Sequence, residues 1–171
     1  MVAQISAAQA VALPDNPDHK LRADAAAALI RANRAAGITP ELTDSWRSVE
    51  VQERIFRERY TQGNLAGKPG YTTDVRTWNG TKWTRKAGTA AAAVPGTSNH
   101  GGGLAIDVRT KRDATTRPRP FVIFNGFADP DRLAWLKAAK PHGWADDEGR
   151  AVGEPWHMTY YPDRDQHKGC K

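Results

Sequence analysis

The chain has 171 residues, 39% of them hydrophobic, one cysteine and a formal net charge of +6. That length and apolar content suit one domain with a genuine core, which excludes a disordered chain, and a single Cys170 excludes a disulfide framework or a thiolate zinc cage. No stretch approaches the ~20 apolar residues of a membrane helix, and the basic balance points to a polyanionic partner: nucleic acid, an anionic cell wall or a membrane surface.

Leu21, Ala25, Ala28, Leu29, Ala32 and Ala36 fall on one helical face, and Gly37 suits the left-handed residue that closes a helix. Residues 41–46 read as a short strand leading into Arg47. A second helix is predicted from Ser48, a capping hydroxyl, to Gly63, with Val51, Ile55, Phe56 and Tyr60 on its buried side. Residues 62–70 are rich in Gly and read as loop. Asn79-Gly80 then joins two short strands in the manner of a two-residue hairpin, with Trp78 opposite Thr81 and Arg76 opposite Trp83. Both tryptophans share a face in that register, packed on the domain or forming a rim that stacks on a ligand. Residues 89–94 are Ala-rich and featureless, and residues 110–120 form a basic, Pro-containing connection. A buried strand is expected over residues 121–124. Asp129-Pro130 marks a helix start, with Leu133, Leu136 and Ala139 facing inward and Gly143-Trp144 at its end. Residues 154–161 read as extended. The fold class is α+β: helices packed on one small, mostly antiparallel sheet.

Two segments carry the chemistry, Ser98-Asn-His100-Gly-Gly-Gly-Leu-Ala-Ile-Asp107 and Glu154-Pro-Trp-His157. Three glycines after His100 argue against a helix and place it on a loop entering a strand. Leu104, Ile106 and Val108 share one face of that strand, so Asp107 lies on the other beside the small Ala105. Imidazole and carboxylate converging from loop and strand suit Zn²⁺, and His157 is the best third ligand. Glu154 is the right kind of group for a general base beside a metal-bound water. A regular strand would set Glu154 and His157 on opposite faces, so a bulge or twist is expected between them. Each of these residues taken alone reads more readily as an ordinary turn histidine or solvated carboxylate; their joint occurrence favours a site.

Ser-x-His-x-x-Gly-x-x-x-Asp followed by Glu-x-Trp-His resembles the signature of the zinc D-Ala-D-Ala metallopeptidases. That grouping includes D,D-carboxypeptidases, vancomycin-resistance dipeptidases and phage L-alanyl-D-glutamate endolysins, with a core shared with lysostaphin-type peptidases and hedgehog domains. Ser45-Trp-Arg47-Ser48-Val-Glu-Val-Gln52 is similar to the segment in which an arginine opens a helix, and residues 95–101 are similar to the D,D-carboxypeptidase branch. The resemblance implies a DD-peptidase/hedgehog-like fold and one Zn²⁺ held by His100, Asp107 and His157. It implies Glu154 as the catalytic base and Arg47 as the group that stabilises the oxyanion or holds a substrate carboxylate. Ser98 and Gln52 are implied in substrate binding. The Trp78/Trp83 hairpin is not part of the shared pattern.

The implied activity is hydrolysis of peptidoglycan stem peptides of D,D-carboxypeptidase or endopeptidase type, in the catalytic domain of a phage endolysin. An L-alanyl-D-glutamate endopeptidase and a bacterial D-Ala-D-Ala carboxypeptidase remain alternatives. The expected organisation is an N-terminal extension over residues 1–20, the zinc peptidase domain over 21–165 and a tail over 166–171. Residues 1–12 lack the cationic segment of a secretory signal, so synthesis in the cytoplasm and holin-type release to the wall are expected. The expected partners are the stem peptide and the anionic bacterial cell wall, for a monomer that engages neither nucleic acid nor membrane. A non-catalytic basic module that binds wall polymer or nucleic acid is the rival of another class, with the five cations from Arg109 to Arg119 as its footprint. No His-Glu-x-x-His is present, and Gly96-Thr-Ser98-Asn-His100 lacks the second glycine of a nucleophile elbow. His19, His142 and His167 have no partners at ligand spacing and read as surface residues.

Overall fold

The computed structural model describes residues 2–110 and 121–169. A hairpin opens it, β1 (Ala10–Leu13) against β2 (Asn16–Arg22), and leads directly into α1 (Ala23–Ala36). The apolar stripe of α1 buries Ala25, Ala28, Leu29 and Ala32, and the helix ends at left-handed Gly37. After β3 (Leu42–Asp44), the Ser48 hydroxyl accepts the Val51 N–H and starts α2 (Val49–Arg59). This helix is shorter than expected, because Tyr60 takes an extended backbone conformation and begins β4 (Tyr60–Gln62). β5 (Tyr71–Trp78) and β6 (Thr81–Lys86) form the Asn79-Gly80 hairpin in the expected register, and β4 pairs with the outer side of β6. β7 (Ala105–Val108), α3 (Pro130–Ala139), β8 (His142–Ala145), α4 (Asp147–Val152) and β9 (His157–Asp165) complete the order.

The principal sheet is antiparallel throughout, in the order β3-β7-β9-β8. Helices α1 and α3 pack together, with α1 also against β8, so the architecture is α+β. Leu104, Ile106 and Val108 are buried as alternation predicts, joined by Trp135, Trp144 and Met158. A second cluster sits between α2 and the three-stranded sheet. There Phe56 stacks on Tyr60 with ring centroids 4.4 Å apart, and Trp78 and Trp83 meet Phe56 edge-on at 5.6 and 5.7 Å. The tryptophan face is thus packed on the domain. Among the described residues no helix is long and apolar enough to cross a membrane.

Several local expectations change. Residues 121–124 make only isolated bridges, Val122 with Pro40 and Phe124 with Thr110. Helix α3 stops at Ala139, and Gly143-Trp144 belongs to β8. The buried residues of α3 are Arg132, Trp135 and Ala139, while Leu133 is 46% exposed. Trp135 decides that rotation by packing near Phe124 and donating its indole N–H to Asn33 Oδ1 at 2.8 Å. His142 is buried, its ring 4.6 Å from that of His167. The basic residues Lys111, Arg112, Arg117 and Arg119, and Cys170, lie outside the described residues.

Arg132 is the unusual member of the core, with a fully buried side chain. Its Nη2 donates to Asp146 Oδ2 at 2.7 Å and its Nε to the Pro155 carbonyl at 2.9 Å. Burial pushes the guanidinium pKa down even against Asp146, which shows how poorly this cation tolerates isolation. Burial opposes ionisation of Asp146 too, yet bonds from Arg132 and Arg150 hold its carboxyl below the usual range. Asp146→Ala is expected to cost about 3–5 kcal/mol, because it strands a buried cation; chemical denaturation measures it. The stabilisation from this depressed carboxyl is complete above the ordinary aspartate pKa of ~3.9 and is lost as pH falls through the lower folded value.

Candidate metal centre

Pairing of β7 with β9 sets Asp107 directly opposite His157, and cross-strand partners hold their Cβ atoms ~5 Å apart on one face. Asp107 Oδ1 lies 2.9 Å from His157 Nδ1 and 3.4 Å from His100 Nε2. One ligand atom from each of the three falls within 4.8 Å of the others, an arrangement that could hold a metal ion. His100 and His157 are buried and Asp107 half-buried.

His100 is aimed by its backbone and by the strand before α2. The loop folds back through Gly103 N–H to His100 O at 3.0 Å and Leu104 N–H to Asn99 O at 2.9 Å, while buried Ser98 accepts the His100 N–H at 3.2 Å. His100 Nδ1 is 2.6 Å from the Ser45 carbonyl. A carbonyl only accepts, so Nδ1 carries a proton, and Nε2 is the nitrogen that faces Asp107. The N-terminal segment braces this loop from outside: Gln4 Nε2 donates to Ser98 O at 3.1 Å and Ile5 N–H to Gly101 O at 3.0 Å.

Glu154 and His157 are brought together by a different device from the expected bulge. Glu154 precedes β9, in the turn after α4, so strand parity does not apply to it. Glu154 N–H donates to Gly149 O at 2.7 Å, His157 N–H donates to Glu154 O at 3.1 Å, and Arg132 holds Pro155 O. Gly149 permits this closeness: a Cβ there would fall 2.5 Å from Glu154 O and 2.6 Å from His157 O.

The three candidate ligands line a cleft of about 310 Å³ together with Glu154, Arg47, Gln52 and Ser98. The structure thus gathers every predicted site residue around one space. Arg47 is clamped by Asp44 Oδ2 at 3.1 Å and Gln52 Oε1 at 3.2 Å, and its buried Nε has no hydrogen-bond partner among the described residues. Gln52 is buried and spends its other amide atom on the Ala93 carbonyl at 2.8 Å. Arg59 and Arg76 likewise hold the carbonyls of Ala91 and Ala92, so the Ala-rich segment forms a wall of the cleft.

Charge follows this packing. Burial opposes ionisation of Asp107, but bonds with His100 and His157 hold its carboxyl well below the usual range. Burial likewise opposes a charged His157, yet bonds to Asp107 and Glu148 raise it to about 9. Glu154 moves the other way: burial pushes its pKa up. Glu148 is the residue that sequence reasoning missed. It lies on the short α4 with Oε2 3.1 Å from His157 Nε2, and the bond with His157, against burial, helps hold it at about 2. An acidic run at 146–148 was its only visible mark.

A family model described as VanY, D-alanyl-D-alanine carboxypeptidase, matches residues 18–163. The chain belongs to this family. Among solved structures it is similar to the vancomycin-resistance D,D-dipeptidase VanXYg in complex with a D-Ala-D-Ala phosphinate analogue, with a TM-score of 0.54 and 22% identity over 93% of this chain and 61% of that one. It is also similar to the LdcB LD-carboxypeptidase, with a TM-score of 0.50 and 22% identity over 82% of this chain and 59% of that one. The chain therefore spans about three fifths of the length of both structures, and the likeness establishes a common fold. No curated protein sequence matches significantly.

Gly149→Ala is expected to cost about 1–3 kcal/mol through overpacking and to weaken metal uptake by displacing the 154–157 turn. Denaturation and chelator competition on the same variant read the two effects.

Proposed function

We propose that the chain is a zinc-dependent peptidase that hydrolyses peptide bonds of peptidoglycan stem peptides, of D,D-carboxypeptidase or endopeptidase type. The observation that carries this reading is the convergence of His100 Nε2, Asp107 Oδ1 and His157 Nδ1 in a cleft that the Glu154 carboxylate and the Arg47 guanidinium also line. Two imidazoles and a carboxylate fit zinc, because three protein ligands leave a position open for water or substrate. When bound by His100, Asp107 and His157, zinc supplies Lewis-acid polarisation and a water of lowered pKa.

The remaining work falls to the chain's own side chains. Glu154 makes no side-chain hydrogen bond within the described residues, and burial raises its proton affinity. It suits a base that takes a proton from the attacking water and gives it to the leaving amine as the C–N bond breaks. Arg47 lines the cleft and offers a permanent positive charge where the carbonyl oxygen becomes negative. Gln52 holds Arg47 in place, and Ser98 fixes the loop that aims His100.

The family match supports a substrate ending in D-alanine, and the net charge of +6 suits an anionic wall. The same chemistry serves the catalytic domain of a phage endolysin or a bacterial carboxypeptidase, with residues 21–165 as the catalytic unit.

Mass spectrometry of a stem-pentapeptide muropeptide digest tests the reading, with release of the terminal D-alanine and its abolition by chelator expected. Glu154→Gln is expected to retain zinc and lose about 10²–10⁴-fold in rate. Stem-pentapeptide and cross-linked muropeptides that both stay intact after incubation with zinc-loaded protein, or near-native turnover by Glu154→Gln, contradict it.

A further inference from the structure

His157 is held at both ends of its ring. Nδ1 faces Asp107 Oδ1 at 2.9 Å, inside the candidate ligand group, whereas Nε2 faces Glu148 Oε2 at 3.1 Å, outside it. Glu148 is itself fixed, since Oε2 accepts Asn99 Nδ2 at 2.7 Å and the hydroxyl of Thr159 at 2.8 Å. Asn99 immediately precedes His100 and Thr159 lies two residues after His157, so one carboxylate oxygen joins both halves of the sequence motif.

We propose that Glu148 is a positioning residue that selects the metal-binding nitrogen of His157, by accepting its Nε2–H and so leaving Nδ1 for zinc. The inference rests on the zinc reading above. An ionised carboxylate has no proton to give, so in the metal-free protein both ring nitrogens carry a hydrogen, Nδ1 toward Asp107 and Nε2 toward Glu148. A metal held with Asp107 would take the place of the hydrogen on Nδ1, and Glu148 would keep the one on Nε2. A histidine ligand whose far nitrogen donates to a carboxylate is fixed in tautomer and made a stronger donor to the metal. The arrangement matters here because Thr159 Oγ1 also lies 3.2 Å from His157 Nε2. While that hydroxyl donates to Glu148 it leaves Nε2 to do the same. With Glu148 removed, the hydroxyl is free to donate to Nε2 and thereby place the proton on Nδ1, the nitrogen required by the metal.

Zinc affinity by chelator competition, measured on wild type, Glu148→Ala and the isosteric Glu148→Gln, tests this together with ¹⁵N NMR of His157 in the zinc-loaded protein. The expected result is a proton on Nε2 of the wild type and an affinity about 10–100-fold weaker in Glu148→Ala. Glu148→Gln is expected to fall between the two, since its amide oxygen still accepts but lacks charge. The thermal midpoint of each zinc-free variant separates this loss from simple unfolding. Metallation of wild-type His157 through Nε2, or unchanged zinc affinity in the folded Glu148 variants, overturns the inference and leaves the proposed function standing. A wild-type protein that takes up no zinc overturns both.

Discussion

The register between β7 and β9 is the constraint from which the site follows. Asp107 and His157 are separated by fifty positions of chain, and antiparallel pairing makes them direct neighbours on one face of the sheet. A slip of one residue in either strand would send one of the two side chains to the opposite face. That slip is resisted by the other face, where Ile106 and Met158 form the next pair in the ladder and are fully buried. The core therefore fixes the chemistry: the same alternation that hides the apolar residues presents the two polar ones.

Around that pair the chain supplies supports of different kinds. Backbone carbonyls do much of the aiming, with Ser45 O on His100 and Gly149 O on Glu154. Buried Arg132 reaches from α3 to the Pro155 carbonyl and so ties the helical layer to the turn that carries Glu154. Arg47, Arg59 and Arg76 are likewise tethered by side-chain or main-chain oxygens. Groups held at several points lose little freedom when a substrate arrives, which is the preorganisation an electrostatic site depends on.

Much of the site was legible in the linear sequence because its signals are local. The glycines after His100 exclude a helix, alternation over residues 104–108 places Asp107 away from the core, and Asn79-Gly80 sets the hairpin register. Asp129-Pro130 likewise announces α3. What stayed hidden depends on distant partners. Arg132 does not read as a core residue until Asp146 and the Pro155 carbonyl are beside it, and it shares with Trp135 the buried face of α3 that leaves Leu133 toward solvent. Glu148 sits on a six-residue helix with no periodicity to announce it, and its contacts come from Asn99 and Thr159. The Ala-rich wall of the cleft has no side-chain chemistry of its own, since its carbonyls are held by arginines and a glutamine from elsewhere.

The central claim is that two of the five histidines converge with Asp107 on a single ion. Zinc titration of the metal-free protein, followed by ¹⁵N NMR of the imidazole nitrogens, tests it most directly. The account predicts that one equivalent of zinc shifts His100 at Nε2 and His157 at Nδ1 and leaves His19, His142 and His167 unmoved. Saturation at a different stoichiometry, or zinc-induced shifts at the other three histidines in place of these two, would contradict it.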